Sequence, residues 1–144
     1  MSGFVSRWVV SQQHDVGPDD LNDDGFVRDQ SRERWISSAS AAYLGRCRVL
    51  NQLADAAGLT PETRIGAWPE SIRLLEPSAV VVSVRATEFL PDSFRLAVRV
   101  RSPDVVVDLE CVCTLENAAG EATPLGDDVR DELIALEHAA QHVN

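Results

Sequence analysis

An α+β fold, with one long helix near the N-terminus wrapped by an antiparallel β-sheet, is what this sequence predicts, on three observations. Between about Asp29 and Ala57 there is no proline, and apolar side chains recur every third or fourth residue, the spacing of a helix face. From Ala79 to Leu115 apolar and polar residues alternate in successive runs, the spacing of half-buried strands. A length of 144 residues with 44% apolar content suits one hydrophobic core, so a single domain is expected over 1–144.

The elements follow in order. Phe4 to Gln13 is short and rich in aromatic and β-branched residues, which predicts a first strand. The run from His14 to Gly25 is dense in Asp, Asn, Gly and Pro and cannot continue that strand. The helix then places Ile36, Ala39, Tyr43, Cys47, Leu50, Ala54 and Ala57 on one face, with Asp29 or Ser31 as its cap and Gly58 as its stop. The small side chains of 37–42 permit a neighbouring backbone to come close. Residues 58–78 carry Gly58, Pro61, Gly66, Pro69 and Pro77 and read as a connection, with one short strand at Ile72–Leu75.

Strands are predicted at 79–90, 94–101 and 105–115. Val80, Val82, Val84 and Ala86 share a face in the first; Phe94, Leu96, Val98 and Val100 in the second; Val105, Val107, Leu109, Cys111, Cys113 and Leu115 in the third. A turn at Ser102-Pro103-Asp104 predicts a register with Val100 opposite Val105 and Phe94 opposite Cys111. Arg95 would then face Glu110, with Arg99 diagonal to Asp108, as exposed cross-strand pairs. Asp127 to His142 reads as a last helix, with Val129, Leu133, Leu136 and Ala140 inward and His138 and His142 at its electronegative C-terminal end.

Composition excludes some functions. A formal charge of -10, concentrated at 15–29 and 127–137, repels polyphosphates, so nucleic acid is not an expected partner. No apolar run is long enough for a membrane span, and the first residues lack a signal-peptide core, so the expectation is a cytoplasmic protein without a membrane partner. The odd count of 3 cysteines argues against a disulfide framework, and no histidine lies near them for zinc, so buried thiols without metal or cofactor are expected. Trp8, Trp35 and Trp68 read as large core or interface groups.

The strongest local pattern is Asp20-Leu21-Asn22-Asp23-Asp24-Gly25. It matches the opening of a calcium-binding loop, but Ser31 stands where that loop needs its bidentate carboxylate, and no second copy exists. The same residues admit another reading. A strand, then Asp20-x-Asn22-x-x-Gly25, then a long helix carrying Trp35 resembles the hot-dog thioesterases, the superfamily of hydroxybenzoyl-CoA and acyl-CoA thioesterases. Asn22 is similar to the acyl-CoA branch, where the loop reads Asp-x-Asn. Val80–Phe89, Pro91, Phe94–Val100 and Gly120 with Thr123-Pro124-Leu125 before an acidic helix extend the resemblance over most of the chain. It departs in having one strand fewer after the helix, and Gly25-Phe26-Val27-Arg28-Asp29 replaces a frequent Gly-His-Val-Asn-Asn.

The resemblance implies a hot-dog fold, a homodimer or homotetramer, and hydrolysis of an acyl-thioester on coenzyme A or an acyl-carrier protein. That chemistry needs an oxyanion site and a group that activates or becomes the nucleophile. Amides around Gly25–Val27 and the helix start would supply the first, with Phe26, Val27 and Arg28 binding substrate. Asn22 can position a water but cannot take its proton, so Asp20 or Glu33 is the expected acid. The competing readings are a non-catalytic acyl-CoA-binding or regulatory protein of the same fold, and a calcium-binding module.

Overall fold

The computed structural model describes residues 8–66, 73–74, 79–103 and 105–141. In chain order it contains β1 (Val10–Asp15), a short 3-10 helix (Pro18–Asp20), α1 (Asp29–Leu44), α2 (Arg48–Ala57), β2 (Thr60–Ile65), β3 (Ala79–Phe89), β4 (Ser93–Arg101), β5 (Val106–Glu116), β6 (Ala122–Thr123) and α3 (Asp127–Gln141).

The strands form one antiparallel sheet in the order β1-β3-β4-β5-β2, with β6 added to β5. Helix α1 packs on β1, β3 and β2. Since β1 and β2 are opposite edges, the sheet curls round the helix. This is the predicted α+β, hot-dog architecture.

The alternation read from the sequence decides which face is core. Val80, Val82, Val84, Phe94, Leu96, Val98, Val100, Val107, Leu109, Cys111, Cys113 and Leu115 are all buried, against Trp35, Ile36, Ala39 and Tyr43 of α1. Each fully buried large apolar side chain contributes roughly 1.5–3 kcal/mol. The three thiols are buried and free, and burial pushes them up, Cys47 and Cys113 to about 12 and Cys111 to about 11. They pack as apolar groups.

Several expectations need correction. The long helix is broken in two. Gly45 closes α1, Cys47 is extended at φ -91 and ψ 104, and the Val49 N–H at the start of α2 donates to Glu132 Oε1 of α3 at 2.9 Å. A carboxylate from the far end of the chain thus caps a helix start that has no local cap. Gly58 does stop α2, with φ 66, but Ala54 and Ala57 are exposed because only Leu50 of α2 is fully covered. The cap of α1 is Arg28, without a side-chain bond, and neither Asp29 nor Ser31 fills that role.

The connection after α2 holds a strand, β2, which the prolines concealed. Pro61 fits because β2 lies at the sheet edge and Pro61 is near its start. This is the strand that the sequence reading lacked. Ile72 and Leu75, the bounds of the strand expected there, lie outside the described residues, as do Phe4 and Val5 of the first strand, Trp68 and His142. The first strand itself starts at Val10 and runs on to Asp15.

The β4–β5 register is shifted by two from the expected one: Val100 pairs with Val107 and Phe94 with Cys113. The Ser102 N–H donates to the Val105 carbonyl at 2.8 Å, and the pairing of Val100 with Val107 leaves two more residues between the paired positions than the expected register allows. A shift of two keeps every side chain on its face. It does change partners: Arg99 faces Asp108 directly, at 2.8 Å, and Arg95 reaches Glu110 diagonally at 3.5 Å.

Candidate functional site

The loop between β1 and α1 is a small hairpin. Asp20 and Arg28 close it, with the Arg28 N–H on the Asp20 carbonyl at 2.8 Å and the Asn22 N–H on the Phe26 carbonyl at 2.8 Å, around a bridge pairing Leu21 with Val27. Gly25 turns the tip with φ 86, a conformation that side chains other than glycine resist. A Cβ there would also stand 3.3 Å from the Leu74 carbonyl oxygen.

Asn22 is fixed inside this turn. Its Oδ1 accepts the N–H groups of Asp24 at 2.9 Å and Phe26 at 3.0 Å. With the carbonyl oxygen committed, the Nδ2 hydrogens are the groups left to meet a ligand.

Asp20 is buried, 8% exposed, and its oxygens are taken up by the protein. Oδ1 accepts the Ser31 hydroxyl at 2.8 Å and Arg34 Nη2 at 2.7 Å, and Oδ2 accepts the Gly17 N–H at 2.8 Å. Burial works to raise its pKa, but the bonds from Gly17, Ser31 and Arg34 outweigh burial and hold the carboxyl below the usual range. Arg34 also faces His14, whose ring stacks near Trp35 at 6.2 Å; burial first and Arg34 second push that imidazole towards its neutral form.

Asn22, Val27, Arg28, Asp29 and Gln30 line an open cleft of about 430 Å³ where the hairpin meets the start of α1. The amide donors of this place are not those expected. The Gly25 N–H donates to the Asn22 carbonyl at 3.0 Å and the Phe26 N–H to Asn22 Oδ1, so neither is free. Helix geometry leaves the first-turn N–H groups of Asp29 and Gln30 without an intrahelical partner, and among the described residues no side chain caps them. With the helix dipole they form a donor pair for an oxygen carrying negative charge.

The predicted residues therefore separate. Asn22, Val27 and Arg28 line the cleft; Gly25 shapes it from behind; Phe26 lies against Arg73, 5.8 Å from ring centroid to guanidinium. Asp20 is turned away into its own hydrogen bonds, and Glu33 is exposed on α1 outside the lining. Asp29 and Gln30 belong to the cleft lining, a place the sequence did not signal, Asp29 reading there as a helix cap. The calcium reading loses its ligands here, because Asp20 and Asn22 spend their oxygens on the protein, and among the described residues no group of His, Cys, Asp and Glu could hold a metal ion.

No protein-family model and no curated protein matches the sequence. Solved structures do. A thioesterase complexed with coenzyme A and Zn from Thermus thermophilus is 21% identical over 91% of this chain and 96% of that one, with a TM-score of 0.66. A 1,4-dihydroxy-2-naphthoyl-CoA thioesterase from Synechocystis is 11% identical over 89% and 97%, with a TM-score of 0.63. A mutant 4-hydroxybenzoyl-CoA thioesterase complexed with 4-hydroxybenzoyl-CoA is 18% identical over 86% and 97%, with a TM-score of 0.64. At these identities the likeness establishes a hot-dog, thioesterase-like fold. Among the described residues no helix is long and apolar enough to cross a membrane.

Proposed function

We propose that this protein hydrolyses an acyl-thioester, with acyl-CoA as the leading carrier and an acyl-carrier protein as the alternative. The observation that carries the reading is the cleft, where the fixed Asn22 amide adjoins the unpaired Asp29 and Gln30 N–H groups. These donors suit the oxyanion that forms when a thioester carbonyl is attacked, and they are held in place before substrate arrives. Structural neighbours that are thioesterases, one complexed with coenzyme A, support the choice of substrate class.

Val27 and Arg28 contact the substrate in this reading, and no cofactor is needed. The open edges at β1 and β2 support a homodimer or homotetramer, since an unpaired edge invites another chain, and a cytoplasmic setting suits buried free thiols. A second reading, acyl-CoA binding without turnover, draws its support from the sealing of Asp20.

Release of free thiol from aromatic, short-chain and long-chain acyl-CoAs tests the first reading. Turnover of at least one class is expected, with Asn22→Ala lowering kcat by roughly 10²–10³-fold, the cost of an oxyanion donor. Binding of acyl-CoA with no turnover of any class would establish the second reading instead.

A further inference from the structure

The reaction just proposed needs a proton acceptor, and the two acids that the sequence offers are badly placed for it. Asp20 has both oxygens committed, and Glu33 lies outside the cleft lining. Asn22 cannot accept a proton from water, and its carbonyl oxygen is already occupied.

Asp29 is the one carboxylate among the described residues that line the cleft. It is the first residue of α1, so its carboxylate and the helix's unpaired N–H groups share the same end. Its Oδ1 is held by Arg32 Nη2 one turn along the helix, and the Arg32 side chain, only 14% exposed, is a settled clamp. Oδ2 has no partner among the described residues, and the Asp29 side chain, part of the cleft lining, is 79% exposed. The group is oriented through one oxygen and open at the other.

We propose that Asp29 is the general base of this site; the assignment rests on the thioesterase reading. Water bonds through its oxygen to the thioester carbonyl carbon while Asp29 takes its proton. The carbonyl oxygen becomes an oxyanion, accepting hydrogen bonds from Asn22 Nδ2 and the first-turn N–H groups of α1. The intermediate collapses, the carbon–sulfur bond breaks, and sulfur leaves with the electron pair and receives the proton from Asp29. Thioester and water give acid and thiol, with the carboxylate restored.

The test uses the full chain and the acyl-CoA that wild type cleaves best. Asp29→Asn keeps shape and hydrogen-bonding capacity but cannot take the proton, so kcat should fall by about 10²–10⁴-fold with KM little changed. Asp29→Glu, which restores a carboxylate, should restore part of the rate. An unchanged melting temperature for Asp29→Asn separates this from loss of the Arg32 contact. If wild type is active and Asp29→Asn keeps its kcat, or loses it only together with its melting transition, the assignment of Asp29 is overturned while the thioesterase reading stands. If wild type cleaves none of the panel, both fall.

Discussion

Asp20 and Glu137 invite comparison, because each is an acidic side chain sunk almost completely, 8% and 9% exposed, against the same helix. Asp20 binds α1 near its start, through Ser31 and Arg34, and ties it to the loop that precedes it. Glu137 binds α1 near its end. Its Oε2 accepts the Tyr43 hydroxyl at 2.6 Å and the Ala86 N–H of β3 at 2.8 Å, joining three elements that are far apart in sequence. Ala86 lies two residues past Val84, the last β3 residue paired with β1, beside a register irregularity in β3, so α3 supplies the partner that the sheet does not. Burial first, and then Glu137, push the Tyr43 phenol far up, so it stays a donor. One carboxylate shapes an open end of the helix; the other closes a seam of the core. Burial alone does not mark a functional acid, and what surrounds the acid does.

The seam should be the more expensive to break. Glu137→Ala takes this acceptor from the buried Tyr43 hydroxyl and the part-buried Ala86 N–H, at about 1–3 kcal/mol for an orphaned buried group, so a loss of roughly 1–4 kcal/mol is expected in urea unfolding. Both bonds fall on one oxygen, so Glu137→Gln keeps an acceptor for both and should lose much less. Equal losses for the two variants would show that carboxylate charge, rather than acceptor geometry, holds the seam. Neither variant should change kcat of the folded fraction.

Breaking the loop anchor should cost less stability. Asp20→Asn places an NH₂ against either the Gly17 N–H or the Ser31 and Arg34 donors, at about 1–3 kcal/mol. It should also lower kcat, because Asp20 fixes the hairpin on which Asn22 stands. Its pH signature is distinct. The Asp20 pKa is depressed in the folded protein, so its stabilisation is complete above the unfolded value of about 4 and is lost as pH falls through the lower folded value. Wild type should lose more stability than Asp20→Asn does as pH falls below about 4, as followed by urea midpoints. Parallel curves would mean that Asp20 titrates alike folded and unfolded.

The two regions were also unequally legible in the sequence. Alternation gave the core faces of β3, β4 and β5, because one buried face and one wet face leave a period of two that survives even a register error of two. The Asp20–Gly25 pattern marked a tight turn, because such a turn needs Asn and Gly at set places. Long-range partners leave no such mark. Nothing near Cys47 announces that Glu132 will cap α2, and nothing near Tyr43 announces Glu137. The same blindness hides the surroundings of Asp20 and Asp29: seen locally, Asp20 looks like an acid open to a ligand and Asp29 like a cap, whereas Asp20 is hydrogen-bonded on both oxygens and Asp29 lines the cleft. Ser31 and Arg34, 11 and 14 positions away, together with the Gly17 N–H show that Asp20 is sealed.

A third acid supplies the low end of the scale. Asp108 meets Arg99 across β4 and β5 through two bonds, at 2.8 and 3.2 Å. Yet the side chains are 43% and 60% exposed, so water and salt already solvate both charges. The Arg99 guanidinium also lies 5.4 Å from the Trp8 ring centroid, a contact that does not depend on Asp108. Asp108→Ala should therefore cost only about 0.2–1 kcal/mol, falling further in 1 M salt, while Glu137→Ala keeps its full effect there. If Asp108→Ala instead matches Glu137→Ala, this face is covered in solution. The ordering of the three acids would then follow an interface between chains rather than burial within one.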